Sequence, residues 1–153
     1  MSVTAPSLET DTPARLRAAI GRLSRRLRPT DAARAARLTP TRLAVLQTVN
    51  RHGPVRLADL AELEAINPTM LSRVTADLVD AGLLQRLSDE GDRRAVWVKA
   101  TADGRRLGER IRRERTDAVK VALGALSQED LQAIERALPA LEALADKLKD
   151  EPS

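Results

Sequence analysis

Three observations predict a mostly α-helical chain with one small β-hairpin. Apolar residues recur at helical spacing over most of the 153 residues. Two short apolar helical stretches are joined by a tight turn ending in Asn67-Pro68. The stretch "SDEGDRRAVWV", residues 88 to 98, sets mixed charges around one Gly before a β-branched run, as a hairpin tip does. The length suits one domain, with hydrophobic residues at 42% and charged residues at 31%. With no Phe, no Tyr and a single Trp, the core is expected to consist of Leu, Val, Ile and Ala.

Residues 1–11 are polar and aperiodic and are expected to form a loose tail. Thr12-Pro13 reads as an N-cap followed by a proline at the first helical position. Leu16, Ile20, Leu23 and Leu27 follow in a narrow stripe, the kind that packs on another helix, and Pro29 ends the helix. Thr39-Pro40 opens a second helix, with Leu38 and Leu43 placed for a hydrophobic staple and Leu43, Leu46 and Val49 as its buried face. Gly53-Pro54 stops it. Leu57, Leu60 and Leu63 mark a short helix, Ile66 lies in a turn, and Asn67-Pro68 caps a helix over 68–81 whose stripe is Leu71, Val74 and Leu78. This pair is a helix-turn-helix arrangement. Gly82 ends it, and strands are expected near 83–87 and 95–99. Thr101 can cap a long helix over 102–125 carrying Leu107, Ile111, Val119, Leu123 and Leu126. Ser127 with Asp130 resembles a capping box for a last helix carrying Leu131, Ile134, Leu138, Leu141, Leu144 and Leu148, with a kink expected at Pro139.

Chemistry is sparse. The absence of Cys excludes disulfides, thiolate catalysis and cysteine metal sites. His52, the single histidine, falls in the last turn of a helix before Gly53, where it suits the helix C-terminus better than catalysis. With no histidine pair, no Gly-rich phosphate loop and no defined carboxylate pair, neither a metal nor a cofactor is expected, and the chain does not read as an enzyme. No apolar run approaches the ~18 residues of a membrane span, and the N-terminus lacks a signal-peptide core, so a cytoplasmic protein is expected. The net charge of +4 rests on 26 basic residues, nearly all Arg, which suits forked contacts with phosphate and guanine. Solvated helix faces account for that charge equally well.

The stretches "LTPTRLAVLQTV", "LADLAELEAINPTMLSRVTADLVDAGLLQR" and "SDEGDRRAVWVKATADG", in this order and followed by a Leu-rich helix, resemble the MarR family of bacterial transcription regulators. The resemblance covers roughly residues 12–149. It implies one winged helix-turn-helix (about 39–100) with added dimerisation helices (about 12–28 and 102–149). It also implies a homodimer on a pseudo-palindromic double-stranded DNA operator, acting as a repressor. The helix 68–81 would then be the recognition helix, with Pro68, Thr69, Met70, Ser72 and Arg73 in the turns that reach base edges. Arg73 suits a fork onto guanine; by spacing alone Met70 fits core and surface equally. Asp92, Arg93 and Arg94 match the family's wing pattern, in which an arginine enters the minor groove. Asp92 would orient Arg94, while Asp89 and Glu90 limit non-specific attraction. Leu16, Ile20, Leu23 and Leu27, with Leu131, Ile134, Leu138 and Leu141, would form the dimer interface. Trp97, on the strand face opposite Val96 and Val98, reads as packing rather than as a ligand contact.

Many relatives release DNA on binding a small aromatic or lipophilic effector. Such a pocket would here be lined by aliphatic residues and arginines, and a thiol-oxidation switch is excluded. Two rivals fit the same residues: a non-specific architectural DNA protein, and a winged-helix module that binds protein.

Overall fold

The computed structural model describes residues 11–149, which form two compact units, one ending at Arg115 and one beginning at Thr116. The expected tail, residues 1–11, lies outside the described residues except for Asp11. The elements are α1 (Thr12–Leu27), α2 (Asp31–Ala35), α3 (Pro40–His52), β1 (Val55–Arg56), α4 (Leu57–Leu63), α5 (Pro68–Asp80), β2 (Leu84–Ser88), β3 (Val96–Ala100), α6 (Ala102–Gly124) and α7 (Gln128–Lys149).

Several boundaries follow from the chemistry read in the sequence. Thr39 and Asn67 cap α3 and α5 by accepting the N–H groups of Arg42 at 3.3 Å and Met70 at 2.8 Å. The start of α1 differs: Asp11 holds the N-cap position without a side-chain bond, and Thr12 is already helical. Ser127 accepts the Asp130 N–H at 3.1 Å, but the Asp130 carboxylate takes the Ser127 hydroxyl at 2.7 Å rather than a backbone donor. α7 continues through Pro139 to Lys149.

Two elements are additional to the sequence reading. The five-residue α2 is capped by Thr30, whose hydroxyl accepts the Ala33 N–H at 3.1 Å. The two-residue β1 makes the hairpin a three-stranded antiparallel sheet of order β1-β3-β2, pairing Arg56 with Trp97 and Val55 with Val98. Both hairpin strands begin one residue later than expected.

In the first unit, Val45, Leu46 and Val49 of α3 pack with Leu71 and Leu78 of α5, Leu60 of α4 and Val98 of β3. A smaller cluster joins Ala32 and Ala33 to Leu43 and Ile111. Leu63, in contrast, is exposed. Apolar residues also remain uncovered elsewhere, Val119 and Val121 of α6 among them. On α1, Ile20 and Leu23 are 48% and 62% exposed, with Leu16 and Leu27 half-buried. On α7, Ile134, Leu138 and Leu141 are 36%, 48% and 39% exposed, with Leu131 half-buried. Among the described residues no helix is long and apolar enough to cross a membrane, and no group of three or more acidic, His or Cys residues is arranged to hold a metal.

Candidate nucleic-acid interface

The helix-turn-helix is held from inside so that one face of α5 is left outward. Leu71, Val74, Thr75 and Leu78 are buried, and the Thr75 hydroxyl donates to the Leu71 carbonyl at 2.7 Å. The intervening positions Pro68, Thr69, Met70, Ser72 and Arg73 are all exposed. Met70 is therefore a surface residue, 48% accessible. Among the described residues no hydrogen bond or ion pair engages the Arg73 guanidinium, so its fork is available. The Arg42–Asp77 ion pair ties α3 to α5, and the Thr48 hydroxyl donates to the Glu64 carboxylate at the end of α4.

The turn between α4 and α5 carries a local strain. Ala65 has φ +50°, where a side chain is disfavoured by about 1–2 kcal/mol. Gly at this position removes that penalty but loses roughly 0.5–1 kcal/mol of chain entropy. Ala65→Gly is expected to raise unfolding stability by up to about 1 kcal/mol in urea titrations. A loss of stability would mean that the Ala65 methyl group contributes more than its backbone costs.

The hairpin tip is organised by a residue outside the Asp-Arg-Arg pattern. Asp89 Oδ1 accepts the N–H groups of Gly91 at 2.9 Å and Asp92 at 3.3 Å. Its Oδ2 accepts the Trp97 indole N–H at 3.1 Å and faces the Arg56 guanidinium at 3.5 Å. The Gly91 N–H and then the Trp97 indole hold this carboxyl below the usual carboxylate range. Arg56 in turn lies over the Trp97 ring, 5.1 Å from its centroid. Trp97 is thus a structural member of the wing, on the face away from buried Val98. Asp92 acts differently from expectation: its Oδ1 accepts the backbone N–H of Arg94 at 2.9 Å, so it fixes the backbone and not the guanidinium. Arg93 and Arg94 are exposed on the resulting loop.

Met70 also lines a cleft of about 810 Å³, with Leu27, Arg28, Arg34, Ile66 and Arg115 among its other walls. The Arg115 Nη2 donates to the Arg28 carbonyl at 3.5 Å, while its Nε is buried without a hydrogen-bond partner. Burial and then the Arg28 charge lower the Arg115 pKa from its ordinary value. Aliphatic side chains and arginines share this lining with polar groups, among them Gln47 and the Glu64 carboxylate, which the sequence did not lead one to expect there, and no aromatic side chain contributes to it.

A helix-turn-helix beside a small antiparallel wing, with one exposed helix face and two arginines on the wing loop, defines the class of winged helix-turn-helix proteins. The MarR family model matches residues 38–96. An HTH-type transcriptional regulator of Mycobacterium bovis is 30% identical over 129 residues, covering 84% of this chain and 89% of the relative. A transcriptional regulator of Thermotoga maritima superposes with a TM-score of 0.77 at 22% identity, covering 94% of this chain and all of the other. NadR, solved in complex with 4-hydroxyphenylacetate, superposes with a TM-score of 0.61 at 25% identity, covering 92% and 97% of the two chains. The chain belongs to the MarR family of helix-turn-helix transcription regulators.

Proposed function

We propose that this chain is a sequence-specific, double-stranded-DNA-binding repressor that works in the cytoplasm as a homodimer on a pseudo-palindromic operator. The observation that carries this reading is the outward face of α5. Pro68, Thr69, Met70, Ser72 and Arg73 are free at the end of the helix that reaches base edges in such proteins, and the wing adds Arg93 and Arg94. Residues 12–149 act as one domain: the winged helix over 39–100 reads DNA, and helices 12–28 and 102–149 provide dimer contacts through the uncovered stripes of α1 and α7. The cleft beside Met70 suits a small lipophilic effector with an acidic group that Arg115 can receive. Met70 and Ile66 place its wall at the turn and first turn of α5, so an occupant bears directly on the reading helix.

Titration of single variants against the operator and its single-base changes, at several salt concentrations, tests this reading. Losing a forked base contact costs on the order of 1–3 kcal/mol and relaxes choice at one position. Arg73→Ala is expected to flatten preference within each half-site. Arg94→Ala is expected to weaken binding to all operators evenly and to reduce the salt slope by about one. Equal affinity of the parent for every duplex would indicate an architectural DNA protein. Absence of DNA binding would leave a protein-binding module.

A further inference from the structure

The Asp89 carboxylate joins three parts of the chain that the sequence separates. Through Oδ1 it closes the loop after β2, accepting the Gly91 and Asp92 N–H groups. Through Oδ2 it holds the indole of Trp97 on β3. Through its ion pair it reaches Arg56, the residue of β1 that immediately precedes α4. Arg56 and Trp97 are register partners and also stack. Asp92 then receives the Arg94 N–H at 2.9 Å, and the Ala95 N–H returns to the Asp92 carbonyl at 2.9 Å. The loop is therefore fixed at its base by Asp89 and at its crown by Asp92.

We infer that Asp89 is a positioning residue for DNA binding, presetting Arg93 and Arg94 and anchoring the wing to the entry of the helix-turn-helix through Arg56 and Trp97. This rests on the reading of the wing as a DNA contact. The physical reason is entropic. An arginine on an unrestrained loop must lose backbone and rotamer freedom when it binds, and a loop held beforehand has already lost the backbone share. Asp89 itself engages its oxygens within the wing, with two loop N–H groups, the Trp97 indole and Arg56, and need not touch DNA.

Two substitutions separate the bonds. Asp89→Ala removes all of them. Asp89→Asn keeps one carbonyl oxygen for the Gly91 and Asp92 N–H groups but turns an NH₂ donor toward Trp97 and Arg56, which are donors too. Trp97 is the single Trp, so its fluorescence reports on the wing base alone. Asp89→Ala is expected to bind the operator about tenfold more weakly, and Asp89→Asn about threefold. In both, Trp97 emission should shift to the red while helical circular dichroism stays unchanged. The decisive measurement is a cycle with Arg93→Ala/Arg94→Ala, because residues acting as a unit are not additive. If Asp89 acts through those arginines, Asp89→Ala adds little in their absence. A full tenfold loss retained in that background, or parental affinity of Asp89→Ala, overturns the inference while leaving the wing in the DNA interface. Parental affinity of Arg93→Ala/Arg94→Ala removes the wing from the interface, and this inference falls with that reading.

Discussion

Leu138→Arg combined with Leu141→Arg is expected to give a folded monomer whose operator affinity is lower by a factor on the order of 10²–10⁴. Both leucines are already accessible in the single chain, 48% and 39% exposed, so arginine costs little there. In a dimer they would be covered, and each would place an unpaired charge in an apolar contact, which is strongly unfavourable. Removing such a stripe from water contributes roughly 25 cal/mol per Å², and the substitution reverses the sign of that contribution. The effect on DNA is indirect. One protomer offers a single copy of α5 and of the wing, and a two-fold operator needs two of each to be engaged at once. The second binding event is intramolecular only while the subunits are joined. Sedimentation or light scattering gives the mass, circular dichroism checks the helices, and titration gives the affinity. A doubly substituted dimer, or a monomer with parental affinity for the operator, would contradict the proposed role of α7.

The features legible in the sequence were those encoded locally. Thr39-Pro40 and Asn67-Pro68 announce α3 and α5 because a cap oxygen and the N–H group that donates to it lie within three residues. The stripes Leu43, Leu46, Val49 and Leu71, Val74, Leu78 show which faces are buried because helical periodicity repeats across each helix. β1 and α2 had no such signal: two residues and five residues are too short to display a period. The wing shows the same limit at the scale of single atoms. Asp92 was expected to orient the Arg94 side chain, whereas a short carboxylate two residues away reaches the backbone N–H more readily than the end of a long side chain. The partner that completes the wing base, Arg56, lies 33 residues before Asp89, so only the sheet register reveals it. Trp97 had the right face but no visible partner until β1 was in place.

Gly104→Ala is expected to destabilise the protein by about 2–5 kcal/mol, although helix propensity alone predicts a gain of about 1 kcal/mol for Gly→Ala inside a helix. The reason lies in how the start of α6 meets the start of β2. Thr101 donates its N–H to the Leu83 carbonyl at 3.1 Å and its hydroxyl to the Gly82 carbonyl at 2.6 Å. The same hydroxyl accepts the Gly104 N–H at 3.0 Å, which completes the cap. A β-carbon on Gly104 would fall inside the van der Waals shell of the Leu83 carbonyl oxygen. That oxygen is backbone and cannot rotate away, so the first turn of α6 must lift. Lifting it also breaks the bond from the Asn50 amide to the Gly104 carbonyl, 3.1 Å long. Asn50 Oδ1 is already buried without a partner, so its whole side-chain amide would then be orphaned. Overpacking contributes roughly 1–3 kcal/mol and the stranded amide a similar amount. For a chain of this size the midpoint of thermal unfolding should fall by roughly 5–20 °C. Gly124→Ala is the matched control, because a β-carbon there meets nothing within 4 Å. It should leave the midpoint unchanged or slightly raised. If Gly104→Ala instead stabilises like an ordinary helical Gly→Ala exchange, the close contact between α6 and Leu83 does not hold the winged helix together.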